Sequence, residues 1–183
     1  RSSRMACGDK LMSILGNKTL LEHVVTRLES QVTALFINAD PALCGAQSLP
    51  VIADRVEGFK GPLAGLWSAL KSDQLSDADY LMIAPCDGPF IPDNLVSELY
   101  QSMVVNDADI ACIRYQGFAQ PTFSLWNKRI LPAVEESLLR QNQGGFKSLL
   151  AELKTVYLDW PEQPINPFFN INTLDDLAEA EGL

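Results

Sequence analysis

The sequence predicts an α/β fold, a sheet covered by helices on both faces. Strand and helix patterns alternate along its 183 residues. The strand candidates are solid apolar runs and not alternating ones, as strands buried on both faces are. The length supports one domain with a core of its own. No linker, repeat or low-complexity tract divides the chain, so residues 1–183 are expected to form a single domain.

Each element follows from its pattern. TLLEHVVTRLES (19–30) puts Leu20, Leu21, Val24, Val25 and Leu28 on one helical face. VTALFIN (32–38) is a buried strand, and LPVIAD (49–54) is a second that ends in an acid. GPLAGLWSALK (61–71) opens a helix with Pro62 at the first helical position. YLMIAPCD (80–87) is a third buried strand, again ending in an acid. PDNLVSELYQSMV (92–104) starts a helix at Pro92 and repeats Leu95, Val96, Leu99 and Met103 along one face. Strands are expected at 109–114 and 121–126, helices near 129–139 and 145–153, and a strand near 155–159. PEQPINP (161–167) reads as an extended surface loop, and a C-terminal helix begins near Thr173. The polar opening RSSRMACGDK leads straight to a helix, where a doubly wound sheet has strand one and a glycine-rich loop. That strand and the start of the loop are therefore expected ahead of Arg1.

Composition narrows the function. Hydrophobic residues are 47% and charged residues 20%, a globular balance. A net charge of −9 and a pI near 4.5 exclude a nucleic-acid partner, which needs a basic face. No apolar run approaches the roughly 20 residues that span a membrane, and no apolar signal core follows the start. Cys7, Cys44, Cys86 and Cys112 stand far apart, which argues against a zinc site or a disulfide framework and fits reduced thiols in the cytoplasm. The one histidine, His23, cannot build a His-rich metal site; it lies opposite the apolar stripe and reads as solvated. Trp67 and Trp126 read as core, and Cys86 as a small buried hydrophobe.

Four segments carry chemistry. In RMACGDK, Arg4 and Lys10 sit on a small-residue loop whose N–H groups can cradle phosphates; a frayed basic terminus is the plain alternative. In so acidic a chain, such a cluster is suited to something more negative than the protein. In DRVEGFKGPLAGLWSAL, Gly58, Gly61 and Gly65 surround a Pro-initiated helix, allowing close backbone approach beside an N-terminus that favours anions or polar ligand edges. An ordinary strand–turn–helix connection is the alternative there. In APCDGPFIP, Asp87 ends a buried strand, where open α/β sheets bind ligands. A lone carboxylate there suits a hydrated Mg²⁺ that also touches substrate phosphates; a turn-capping Asp is the alternative. In FFNINTLDDL, Asn170 and Asn172 point the same way if extended, and Thr173 with Asp176 resembles a capping box.

Together these segments resemble the molybdenum cofactor guanylyltransferase family of nucleotidyltransferases. RSSRM…GDK is similar to the second half of the signature L-A-G-G-x-S-x-R-M-G-x-D-K. L…GNKTLLEHVVTRL, GPLAGL, PCDGPFIP and NINT…DL follow in order, from Arg1 to about Asp176. The resemblance implies a three-layer Rossmann-like nucleotidyltransferase fold with a predominantly parallel (mixed) sheet. It implies Mg²⁺-dependent transfer of GMP from GTP to molybdopterin cofactor, with pyrophosphate released and molybdopterin guanine dinucleotide formed. It places L-A-G-G and its strand just before Arg1. Arg4, Lys10 and Asp87 become the catalytic candidates, with Lys10 on the GTP phosphates and Asp87 on Mg²⁺ and nucleotide. Asn38, Asp54, Gly61, Pro62 and Gly65 become nucleotide contacts. The acceptor is expected against the second half of the sheet, near Gln120, Lys147, Asn170 and Asn172.

Three positions depart from the family pattern: Ala6 for a glycine, Gly88 for a Thr or Ser, and Leu174 for a Pro. The partners implied are GTP and molybdopterin, with proteins of cofactor biosynthesis or molybdoenzyme maturation beside them. Two other readings compete. One is a related transferase using CTP or loading sugar phosphates; Asn172, where many relatives carry Asp, favours the molybdenum branch. The other is a nucleotide-binding regulatory or partner-binding domain that has lost catalysis, against which the intact Lys10 and Asp87 argue.

Overall fold

A computed structural model describes residues 12–40, 49–56 and 61–183. A hairpin of β1 (Ile14–Leu15) and β2 (Lys18–Thr19) turns on Gly16, whose φ of 64° favours glycine. It feeds α1 (Leu20–Leu28), which starts on a full capping box: the Thr19 hydroxyl accepts from the Glu22 N–H, and the Glu22 carboxylate accepts from the Thr19 N–H. His23, expected to be solvated, instead lies with Nε2 2.9 Å from the Leu15 carbonyl, tying α1 to the hairpin. Next come β3 (Ile37–Asn38) and β4 (Val51–Ile52), a parallel pair, and α2 (Pro62–Leu70).

The main sheet is built from β5 (Tyr80–Ile83), β6 (Ile110–Tyr115), β7 (Phe118–Asn127) and β8 (Thr155–Asp159), in the order β5-β7-β6-β8. β7 runs antiparallel to β5 and β6, and β8 runs parallel to β6. Three strands thus share one direction and one opposes them, the mixed sheet that was expected. The reversal is a tight hairpin: Gln116 and Gly117, at φ 50° and 81°, join Tyr115 to its partner Phe118. Two successive positive φ values match the strand twist.

Helices cover both faces because β6 alternates its side chains between two cores. Ala111, Ile113 and Tyr115 face a core with α1 and with α3 (Leu95–Asn106). Ile110 and Cys112 face a core with α2, α4 (Leu131–Glu135) and α5 (Lys147–Glu152). Trp126 is fully buried in the second core, whereas Trp67 is half-buried, its Nε1 donating to Glu135. Cys86, half-buried, packs beside Leu21 and Ile37. The chain closes with α6 (Leu174–Glu181), started by the expected Thr173–Asp176 capping box.

Several boundaries differ from the sequence pattern. β5 stops at Ile83, because Pro85 removes a ladder donor. α3 starts at Leu95 and not at Pro92; the Pro92 carbonyl is occupied by the Leu95 N–H at 3.2 Å and the Gln31 amide at 2.8 Å. The helix expected near 129–139 is composite: a tight turn at 128–130, then α4, then a wide turn at 136–140. No helix among the described residues is long and apolar enough to cross a membrane. An apolar cleft of about 590 Å³ lies between α1, the β3–β4 pair, α2 and β5.

Candidate active site

The carboxyl ends of β3, β4 and β5 gather three of the sequence candidates. Asn38 ends β3, and its Nδ2 donates to the Ile52 carbonyl at 2.9 Å and to Asp54 Oδ1 at 3.0 Å. The other side of the amide lies against α2. A Cβ on Gly65 would stand 2.0 Å from Asn38 Oδ1 and 3.0 Å from its Cγ. Asn38, Asp54 and Gly65, distant in sequence, are one unit: the glycine makes room for the amide, and the amide holds the carboxylate. Asp54 remains exposed, able to accept from a ligand. The residue after it is anchored too. The Arg55 N–H donates to Ser68 Oγ at 2.9 Å, and that fully buried hydroxyl donates to the Ala64 carbonyl at 2.8 Å. Ser68 was not singled out by sequence; its one signal is a hydroxyl on the apolar face of α2.

Gly61 has φ 75°, and a Cβ there would lie 2.5 Å from the Gly144 carbonyl oxygen. That oxygen accepts the Leu63 N–H at 3.0 Å, while the Ala64 N–H goes to Gly61 at 3.1 Å. Pro62 has no N–H to give. Two first-turn donors of α2, the Leu63 and Ala64 N–H groups, are therefore spent on the protein. Gly61, Pro62 and Gly65 supply shape and not charge. Gly144 was missed; its only signal is the Gly144–Gly145 pair.

Asp87 and the NINT segment form the second unit. Asp87 is half-buried beyond β5, and its backbone carbonyl accepts the Ile171 N–H at 2.9 Å. At Gly88 a Cβ would meet Phe123 Cζ at 2.9 Å, and Asn170 Oδ1 and Pro85 Cγ at 3.3 Å. This packing explains the departure at Gly88. The two asparagines do not act as a matched pair. Asn170 Oδ1 is buried without a hydrogen-bond partner among the described residues, whereas Asn172 is exposed, its amide donating to the Asn170 carbonyl at 3.2 Å. The Asn172 N–H is held by Asp176, part of the start of α6. Gln120 lies half-buried on β7 opposite Ile113, and Lys147 is exposed at the start of α5, three positions after Gly144. Arg4, Lys10, Ala6, Gly58, Cys7 and Cys44 lie outside the described residues.

The described residues do not resemble a covalent machine. Burial pushes the Cys112 thiol up to about 11, which leaves it protonated and inert. Among the described residues no three acids, histidines or cysteines gather to hold a metal.

Comparison with known proteins sets the class first. The fold is similar to the crystal structure of molybdopterin-guanine dinucleotide biosynthesis protein A from Archaeoglobus fulgidus, with a TM-score of 0.77 and 23% identity over 94% of this chain and 89% of that one. It is also similar to 2-C-methyl-D-erythritol 4-phosphate cytidylyltransferase from Thermus thermophilus, with a TM-score of 0.69 and 16% identity over 97% and 94%. These likenesses define the fold of a nucleotidyltransferase. The MobA-like NTP transferase domain family matches residues 1–156, and the chain belongs to that family. Proteins called molybdenum cofactor guanylyltransferase are similar over nearly their whole length. The one in Rhodopseudomonas palustris (strain HaA2) is 39% identical, over 100% of this chain and 87% of that protein. The one in Bradyrhizobium sp. (strain ORS 278) is 38% identical, over 98% and 87%.

Proposed function

We propose that this chain transfers GMP from GTP to molybdopterin cofactor in the cytoplasm. The observation that carries the reading is the Asn38–Asp54 pair seated under Gly65. Guanine offers N1–H and N2–H₂ donors beside an O6 acceptor. A carboxylate held in one orientation is a suitable acceptor for those donors. The names of the relatives support guanine over cytosine.

The reaction needs positioning and charge neutralisation more than a covalent protein group. A phosphate oxygen of the acceptor attacks the α-phosphorus of GTP. The new P–O bond forms as the bond to the pyrophosphate oxygen breaks, and pyrophosphate departs in line. Arg4 and Lys10 neutralise the triphosphate, and Lys10 meets it already in the ground state. Asp87 would hold a hydrated magnesium ion through a hard carboxylate oxygen, the donor type that ion prefers. When bound, that ion supplies charge stabilisation as pyrophosphate leaves. Asn170 packs against the Asp87–Gly88 turn with its Oδ1 buried, and so shapes the floor beneath the acceptor. Gln120, Lys147 and Asn172 complete the acceptor wall.

Asp87→Asn is the test. It keeps shape and removes charge, and loss of such stabilisation typically costs about 10²–10³ in rate. The fold should survive, because the Asp87 side chain is only half-buried and the substitution keeps its shape. A folded Asp87→Asn enzyme with near-normal guanylyl transfer at ordinary Mg²⁺ refutes the assignment. Calorimetric titration with GTP, CTP and ATP separates the readings: a CTP preference selects cytidylyl transfer, and no nucleotide binding selects a non-catalytic, partner-binding domain.

A further inference from the structure

β7 changes character at Ser124. This residue is the last one paired on both sides, with Ile83 of β5 and with Cys112 of β6. Beyond it the β6–β7 register jumps. Cys112 faces Ser124, but Ile113 faces Gln120, so Pro121, Thr122 and Phe123 have no partner on β6. An insertion of this kind re-aims side chains and is common beside active sites. Pro121 suits it, having no ladder donor to lose. Each loop residue has a place. Thr122 lines the cleft with Pro85 and Cys86. Phe123, fully buried, stacks edge-on against Phe168 at 5.0 Å and stands where a Gly88 side chain would be. The Pro121 carbonyl accepts the Ser124 hydroxyl at 2.6 Å, and Ser124 Oγ accepts the Trp126 indole N–H at 2.7 Å. Ser124 and Trp126 are both fully buried. The chain Trp126–Ser124–Pro121 therefore fixes one rotamer and closes the loop.

We propose that Ser124 is a positioning residue for Asp87. Its hydroxyl locks the 121–123 loop, the loop sets the Phe123 ring, and the ring sets the Gly88 backbone that carries Asp87. The inference rests on the reading of Asp87 as the Mg²⁺ and nucleotide residue. Ser124 itself touches no reactant. A displacement of the order of 1 Å in such a group can cost about 10²-fold in rate.

The test is Ser124→Ala, with Trp126→Phe, the double variant, and Phe123→Leu. Ser124→Ala should lower kcat by about 10–10²-fold while KM for GTP stays near wild type. Half-saturation by Mg²⁺ should move to higher concentration. Mn²⁺ binding in the presence of GTP, read by electron paramagnetic resonance without acceptor, should weaken in parallel. Trp126→Phe should shift the same quantities less. The double variant should be no worse than Ser124→Ala, since both cut one chain. Ser124→Thr, which keeps Oγ, should restore Mn²⁺ binding. If Ser124→Ala does not fold, Phe123→Leu and Trp126→Phe carry the same expectations. Folded variants with wild-type kcat and Mn²⁺ affinity overturn the proposal, as does a loss confined to thermal stability. Asp87→Asn assayed beside them separates the two ideas. If it is inactive while Ser124→Ala is silent, only the positioning role falls. If it is active, the reading of Asp87 falls first.

Discussion

Gly65→Ala should leave the fold nearly as stable as before and remove the proposed contact to the nucleotide base. The new methyl would lie 2.0 Å from Asn38 Oδ1, so the amide must leave its seat. Its bonds to the Ile52 carbonyl and to Asp54 go with it. The first is worth about 0.5–1.5 kcal/mol. The second, between exposed groups, is worth about 1 kcal/mol or less. Against this, alanine in place of a helical glycine contributes about 1 kcal/mol. The net change stays within about 1.5 kcal/mol, no more than about 6 °C in Tm for a chain of this size. Affinity responds differently. A hydrogen bond to a charged acceptor contributes about 1.5–3 kcal/mol, so misplacing Asp54 should weaken GTP binding by about 10–10²-fold. The loss should be smaller for ITP, which lacks the N2 donors. The assays are a thermal melt and calorimetric titration with both nucleotides. Asn38→Ala added to Gly65→Ala should relieve the clash and recover Tm without recovering affinity. Unchanged GTP affinity and unchanged preference over ITP in Gly65→Ala would refute the seat as the base reader.

Two further outcomes follow from neighbouring geometry. Gly61→Ala should be the more damaging glycine substitution. It combines φ 75° with a 2.5 Å approach to a backbone oxygen that cannot rotate away, a loss of about 1–3 kcal/mol that a urea melt will show; a midpoint equal to wild type would contradict it. Stability should also fall on acidification. Lys71 at 3.1 Å and the Trp67 indole hold Glu135 below its ordinary value of 4.5. A depressed carboxylate contributes stability that is present above its unfolded value and lost as pH falls through the folded one. The loss therefore belongs below about pH 4.5. Glu135→Gln should flatten the fall in Tm there, and an identical acid profile would exclude the contribution.

The parts of the site that were legible are those in which a side chain has one plausible job. Asp54 and Asp87 end apolar runs, and Gly65 lies on a helix that packs closely. The structure joins Asp54 and Gly65 to Asn38, which was also marked, and ties the Asp87 backbone to Ile171, between the two marked asparagines. What escaped were contacts made through backbone and buried hydroxyls. The Gly144 carbonyl caps α2, and any residue type carries a carbonyl. Ser68 and Ser124 lie inside apolar runs, where a serine reads as a tolerated small residue until its two hydrogen bonds are seen. The occupation of the Leu63 N–H escaped for the same reason, since a donor's availability depends on what docks from elsewhere. The strands 32–38 and 49–54 were read too long: only two residues of each pair, and only Ile37 and Ile52 are buried, so the apolar runs marked neither full burial nor ladder pairing.

The clasp between Gly61 and Gly144 has a consequence for the order of events during folding. α2 is local and can form early, but the loop that occupies its first turn arrives from far down the chain, after most of the sheet has been laid down. Contacts of such long sequence separation close late. Until then the Leu63 N–H is unspent and the positive end of α2 is open to solvent and to any anion. A chain that has not yet closed this contact leaves that donor to water. The first turn of α2 is satisfied within the protein only when Gly144 reaches it.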